Sequence, residues 1–516
     1  MSKIKQQILK ILTKPAQAAG ISIRSNSMQI KRIFVNLPFT VFGVGIFMLA
    51  MIILDNGVVV LAQENPIRVS GEPTGTPPVN AVPATPANTE GAITDPVVKA
   101  ELEKAVATFK ESKFAETLEI LKALFQSHPE IAPPRIVMAR MFAQAKLGDA
   151  VRANLELGTE ETPADPEAYL LLGEIALRQR YLTSAELLLK HASETLKVYS
   201  ASPVRKKNLT SSLLRVFTDL YETRQRWVQM ESCINEQVQF DGQNATLLRR
   251  KGIAVFRQNR DDEAKRLLAQ ADQLDQTNTE PTQKGLPANA IMSQLYLSRG
   301  DKDNARMALE AALAAYPKSK EILALSVQMR ISDDKLEAAR PLAQQLLDED
   351  PTSAAAKRLR ATVALYLQDY GLAERLFQEL LLESPTDSQA QNGLALALCE
   401  QNSPDKQKRA VEYAADNVRK YQGNSEFWGT LGWVQLKANL IDDAAKSLRQ
   451  SVATGAINAA TAYYLAQLSI KSNKNDEAKQ LLELALKGNN QFAKRREAAQ
   501  ILNRLQNTST PQIRIE

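Results

Sequence analysis

Proline recurs every 34 residues in this chain, at Pro317, Pro351 and Pro385. Alanine keeps the same interval at Ala305, Ala339 and Ala373, at Ala361 and Ala395, and at Ala444 and Ala478. Gly432 and Ala466 share it. A fixed interval of this size marks one supersecondary unit copied along the chain, in which each copy packs on its neighbours. The length agrees: 516 residues exceed the roughly 250–300 at which a single core stops growing.

Each unit carries two helical patterns. Within residues 288–317, the first places Ile291, Leu295, Tyr296 and Leu297 before a turn at Gly300-Asp301. The second puts Ala305, Ala308, Leu309, Ala312 and Leu313 on one stripe at spacings of three and four. Pro317 then ends it, because proline cannot continue a helix and pushes the preceding residue toward extended backbone.

Further copies sharpen the pattern. "WGTLG" at 428–432 is followed by Ala444 and Leu448. Gly173, Ala185, Leu189 and Ala192 keep the same register, as do Gly252, Ala264, Leu268 and Ala271, and Ala466, Ala478, Leu482 and Ala485. The units resemble the tetratricopeptide repeat, an antiparallel helix pair of 34 residues. The resemblance implies an all-α fold, an α-solenoid (superhelix) of about 10–12 stacked antiparallel helix pairs over 98–505. The small residue of the first helix would admit the paired helix closely, and the later alanines would admit the next unit.

Two stretches depart from the pattern. Near 135–160, Asp149-Ala150 stands where the turn is expected, and near 205–240, Met230 replaces the expected alanine. The unit around 390–420 carries about three extra residues near "NSPDKQ", read as a longer turn. Residues 492–505 read as the polar capping helix that a terminal repeat needs, with 506–516 as a tail.

The N-terminus differs in kind. Residues 1–32 are basic, and Lys3, Lys5, Lys10, Lys14, Arg24, Lys31 and Arg32 stand without an acid before residue 55. The remainder has 57 of the 64 Lys and Arg against 58 Asp and Glu, so the net charge of +6 belongs to the N-terminus. The 33–54 segment is hydrophobic, and its last 18 residues, from Leu37, carry no charge. That approaches the ~20 residues needed to cross a bilayer. It reads either as a retained anchor or as a signal cleaved after Ala62. Both readings put the body on the non-cytoplasmic side, since the basic flank stays in the cytoplasm. Residues 55–97 form a linker that holds Pro66, Pro73, Pro77, Pro78, Pro83, Pro86 and Pro96, a composition that cannot bury a core.

Catalytic constellations are absent from the sequence: no Walker loop, HExxH, GxSxG or GxGxxG occurs. His128 and His191 are the only histidines. Cys233 and Cys399 lie several units apart, too far for a disulfide. No enzyme activity, metal or cofactor is implied. The near-neutral body lacks the basic footprint of a nucleic-acid binder.

Binding remains. In proteins of the resembled family, the first helices line a concave surface that holds a peptide or helix of a protein partner. Carried onto this chain, the partner-binding positions are Arg249, Phe256, Arg358, Tyr366, Asn392, Trp433, Lys437 and Tyr463. The resulting expectation is a protein–protein scaffold at a cell envelope, touching the membrane itself only through an uncleaved N-terminal segment. An accessory subunit of an envelope or polysaccharide-export enzyme complex and a direct glycan binder are the alternatives.

Overall fold

The computed structural model describes residues 95–277, 285–455, 457–487 and 491–507. The basic region, the hydrophobic segment and nearly all of the Pro-rich linker lie outside the described residues. No helix among the described residues is long and apolar enough to cross a membrane.

Described residues up to Ser326 form one compact unit, and those from Val327 form a second. The N-terminal unit holds six helix pairs. These are α1 (Pro96–Lys110) with α2 (Phe114–Ser127), α3 (Pro134–Gln144) with α4 (Gly148–Glu161), and α5 (Pro166–Arg178) with α6 (Leu182–Val198). Then come α7 (Pro203–Thr223) with α8 (Trp227–Asp241), α9 (Ala245–Phe256) with α10 (Asp261–Thr277), and α11 (Ala288–Arg299) with α12 (Lys302–Ala315). The boundary falls inside α13 (Lys320–Ser332). The C-terminal unit continues with α14 (Leu336–Glu349), α15 (Ala354–Tyr366) with α16 (Tyr370–Glu383), and α17 (Ser388–Cys399) with α18 (Pro404–Lys420). It ends with α19 (Ser425–Lys437) and α20 (Ile441–Thr454), α21 (Ala459–Lys471) and α22 (Asn475–Leu486), and α23 (Arg495–Asn507). Within each unit, helix pairs stack in chain order, the arrangement of an α-solenoid.

Local chemistry sets the helix starts. Asn424 caps α19, its Oδ1 accepting from the Glu426 and Phe427 amides at 2.9 and 3.2 Å. Asp165, Ser202, Ser353, Asp387 and Asn458 cap other first helices in the same way. Such a cap contributes about 1 kcal/mol. Pro317, Pro351 and Pro385 each stand two residues past a second helix, as the period predicts.

The turn inside the pairs is one motif used ten times. Ser112, Lys146, Arg180, Gln225, Asn259, Asp334, Gln368, Asn439 and Asn473 all take left-handed φ of 55–64°, and Gly300 takes 85°. The two irregular stretches conform to it. α3–α4 and α7–α8 are complete pairs that turn at Lys146 and Gln225, and Met230 is fully buried where other second helices bury alanine. The α17–α18 turn is the exception, with no left-handed residue. The extra residues near "NSPDKQ" lengthen this turn by one, to residues 400–403 against 367–369 and 438–440, and also extend α18 to 17 residues, against 14 in α16 and α20.

Close approach explains the small residues. A Cβ on Gly432 would lie 2.5 Å from Cγ of Leu448 on the paired helix. Ala305, Ala339, Ala373, Ala444 and Ala478 are fully buried at the matching second-helix position.

Candidate functional site: the first-helix face of the C-terminal unit

Successive first helices α15, α17, α19 and α21 touch one another and so form a continuous face. Its hub is Glu400, the residue after α17 in the one irregular turn. The Glu400 side chain is 6% exposed, and a carboxylate so buried needs full pairing. It accepts from Trp433 Nε1 at 3.0 Å, Lys437 Nζ at 3.1 Å and Lys494 Nζ at 2.9 Å. Around it the Trp433 ring stacks on Tyr464, with centroids 4.8 Å apart and planes inclined by 16°. Tyr463 lies 5.5 Å from Trp433 and 5.7 Å from Phe492.

The electrostatics follow from this packing. Burial alone would lower the Lys494 pKa, but the Glu400 carboxylate and the Tyr370 hydroxyl outweigh it and hold the ammonium above the ordinary lysine range. Burial pushes the Tyr463 hydroxyl far up, with the carboxylates of Glu497 and Glu400 adding to the effect. Burial and the charge of Glu426 move Tyr366 up to about 12. These tyrosines are neutral donors and acceptors, not acids, near neutral pH.

The eight sequence-derived positions fall into three groups. Trp433, Lys437 and Tyr463 meet at the Glu400 hub. Trp433 and Tyr463 are buried there, while the Lys437 side chain is 32% exposed and lies 5.5 Å from the Trp433 ring. Arg358, Tyr366 and Asn392 belong to the neighbouring stretch of the same face. Arg358 pairs with Asp387 and keeps a side chain 42% exposed. Tyr366 is partly buried, and Asn392 is buried with Nδ2 3.4 Å from Glu426 Oε1 and its own Oδ1 without a donor. Arg249 and Phe256 lie in the N-terminal unit and are packing residues there. Arg249 is 2% exposed, pairs with Asp275 and Asp272, and donates Nε to the Leu286 carbonyl at 3.2 Å. Phe256 is buried beneath the Arg299 guanidinium, 3.8 Å from the ring centroid.

Sequence reasoning missed Glu400, Tyr370, Tyr464, Phe492 and Lys494. Tyr464 stands one residue after Tyr463, and its place on the helix could have flagged it. Phe492 and Lys494 come from the segment read as a cap. That segment reaches well beyond the last pair: Lys494 Nζ donates to Tyr370 Oη at 3.0 Å, and Arg496 Nη2 to the Asp334 carbonyl at 3.3 Å.

The remaining candidate reactive side chains sit in packing or local contacts. Cys399 and Cys233 are free thiols, both pushed up by burial, Cys233 to about 11. His128 meets Glu130 at 3.2 Å, and His191 packs edge-on against Tyr169. Among the described residues, no three His, Cys, Asp or Glu side chains gather as a metal site.

Comparison with known proteins agrees with the repeat. The tetratricopeptide repeat family model matches residues 292–354 and 358–424. No curated protein matches. Among solved structures, a tetratricopeptide repeat protein from Parabacteroides merdae aligns at 14% identity over 51% of this chain and 99% of its own, with a TM-score of 0.41. The thermophilic TPR protein TTC0263 of Thermus thermophilus aligns at 20% identity over 36% of this chain and 100% of its own, with a TM-score of 0.31. PilF of Pseudomonas aeruginosa aligns at 18% identity over 43% of this chain and 96% of its own, with a TM-score of 0.30.

Proposed function

We propose that this chain is an exported or membrane-tethered scaffold that holds partner proteins on the first-helix face of its repeats. One observation carries the reading. The face already engages a polypeptide segment, residues 491–496, through an apolar contact and charged hydrogen bonds. A surface that can seat one such segment has the chemistry to seat another. Aromatic anchors supply buried area, and polar groups fix register. Arg358, Lys437 and Tyr366 are the sequence-derived positions that keep open surface there. Asn392 Oδ1 adds a buried acceptor without a donor.

The compartment rests on sequence alone. The basic residues 1–32, the hydrophobic segment 33–54 and the Pro-rich residues 55–97 together describe an anchor or signal and a spacer. The glycan-binding alternative needs open aromatic faces. Trp433, Tyr463 and Tyr464 are each buried and spend their faces on one another.

Affinity capture of the full chain from its native membranes, followed by mass spectrometry, tests the proposal. Partners should be recovered, and Arg358→Glu with Lys437→Glu should lose at least one of them. If every partner is retained by that double variant, the face is not the binding surface. The same digest reports the N-terminal peptide: a start at residue 63 means cleavage after Ala62, and an intact N-terminus in the membrane pellet means an anchor. Recovery only from the cytosolic fraction would remove the envelope assignment.

A further inference from the structure

A terminal cap need only touch the last helix pair. α23 does pack on α22, but the residues at its start go much further. Gln491 Nε2 lies 3.4 Å from the Ser332 carbonyl, 159 residues away in sequence. Arg496 Nε lies 3.7 Å from Asp334 Oδ1. Lys494 meets Tyr370 and Glu400, and Phe492 meets Tyr463. Four residues of this six-residue stretch thus touch the end of α13 and the turn after it, α16, the α17–α18 turn and α21.

These contacts are unequal. Arg496 keeps a side chain 55% exposed, and its ion pair is long, so it contributes little. Phe492 and Lys494 are 6% and 9% exposed and fill the face. The receiving groups are all acceptors or aromatic rings: the Glu400 carboxylate, the Tyr370 hydroxyl, the Asp334 carboxylate and carbonyl, the Ser332 carbonyl and the Tyr463 ring. Glu400 is the decisive one, because a carboxylate buried this deeply is held by cations, and one of its two comes from the C-terminal segment.

We infer that the first-helix face of the C-terminal unit is a receptor for a basic segment with an aromatic side chain two positions before a lysine, and that residues 491–496 occupy it in cis. This rests on the scaffold reading above and names the partner's chemistry. A tethered occupant acts at an effective concentration of about millimolar for a short linker. An external segment therefore binds well only when it outcompetes this copy or when the copy is removed. The face is masked by its own chain, and two residues hold the mask.

The test uses the full chain and a fluorescent peptide with the sequence of residues 491–500. The Phe492→Ala, Lys494→Ala double variant should bind this peptide at least tenfold more tightly than the wild type. A peptide with glutamate in place of the lysine should not bind, and adding Glu400→Gln to the double variant should weaken binding at least tenfold. Equal binding by wild type and double variant overturns the inference, as does binding that survives the lysine-to-glutamate change. Should the double variant melt early by circular dichroism, Lys494→Ala alone serves, with at least a threefold gain expected and no gain overturning the inference. A variant that dimerises with its segment protected again would assign the occupant to a second copy and overturn the cis assignment. If peptide binding fails while the Arg358→Glu, Lys437→Glu variant still loses partners, the scaffold stands and only the mask falls.

Discussion

Gly432 and Gly371 are the same residue type with opposite prospects. Gly432 sits in α19, where an added Cβ would stand 2.5 Å from Leu448 Cγ and 3.2 Å from the Ala444 carbonyl. Leu448 is fully buried and cannot swing away. Overpacking of this kind costs about 1–3 kcal/mol, which exceeds the ~1 kcal/mol that alanine gains in helix propensity. Gly432→Ala should therefore lower stability in urea denaturation. Combining it with Leu448→Ala should lose less than the sum of the single losses, because the two changes share one space. Gly371, in the first turn of α16, has nothing within 4 Å of an added Cβ. Gly371→Ala should raise stability by about 0.5–1 kcal/mol, through propensity and a less free unfolded chain. An unchanged or lower midpoint would mean that α16 begins differently in solution.

Among elements, the N-terminal unit is stitched by a buried ion network joining three first helices. Arg205 on α7 is 1% exposed and donates to Asp165 at 2.6 Å and to Glu167 at 2.7 Å, both at the start of α5. Arg140 on α3 reaches Glu167 from the other side at 2.5 Å. Burial alone would raise the Glu167 pKa, but the two guanidinium groups outweigh it and hold the carboxyl below its usual range. A carboxyl depressed on folding stabilises above its unfolded value of about 4.3, and that stability is lost as pH falls through the folded value. Arg205→Met should cost about 3–5 kcal/mol, since it leaves Asp165 and Glu167 buried without their main partner. Its deficit relative to the wild type should be largest near neutral pH and shrink as pH falls, because the unpaired carboxyls take up protons, read by urea denaturation followed by circular dichroism between pH 7 and 3. A deficit that does not change with pH would mean that the network contributes no pH dependence.

The same comparison of elements shows what the sequence could reveal. The 34-residue interval located the helix pairs and the close packing at Gly432, because those depend on residue size at fixed spacing. The left-handed turn was not legible at Ser112, Lys146, Arg180, Gln225 or Gln368, because those side chains do not announce it. The pairing of the helices imposes the backbone there, against an unfavourable local preference. The positions carried over from the resembled family include Trp433, Lys437 and Tyr463, which meet at one site. They could not show that Phe492 and Lys494 fill it, since Lys494 reaches Glu400 across 94 residues and Tyr370 across 124. No local pattern carries such a distance.

At the scale of the molecule, the two units differ in how their cores are joined. The buried apolar residues of the N-terminal unit fall into several clusters, one around Ile136 and Leu155, another around Leu189 and Leu213, and a third around Met230 and Ile234. In the C-terminal unit a large cluster runs from Ala361 to Ala498 and takes in the Glu400 aromatics and Phe492, beside a smaller one of Val327, Ala339, Ala343 and Val363. An ordinary solenoid transmits a perturbation from neighbour to neighbour, so it decays along the array. The closing contacts of residues 491–496 give the C-terminal unit a second route that skips the intervening pairs. Loosening the segment should therefore be felt at Ser332–Asp334 as well as at α22. Alkaline pH is a poor way to loosen it: a lysine raised on folding stabilises below its unfolded value of about 10.4, and that stability is lost only as pH climbs through the folded value. Substitution is the better tool. In hydrogen exchange at pH 7, Phe492→Ala with Lys494→Ala should speed exchange in peptides spanning 327–340 and 475–487 and at the Glu400 hub, and change α20 less. A change confined to 475–507 would mean that the segment is a terminal cap and that the C-terminal unit unfolds from its end, like any open array.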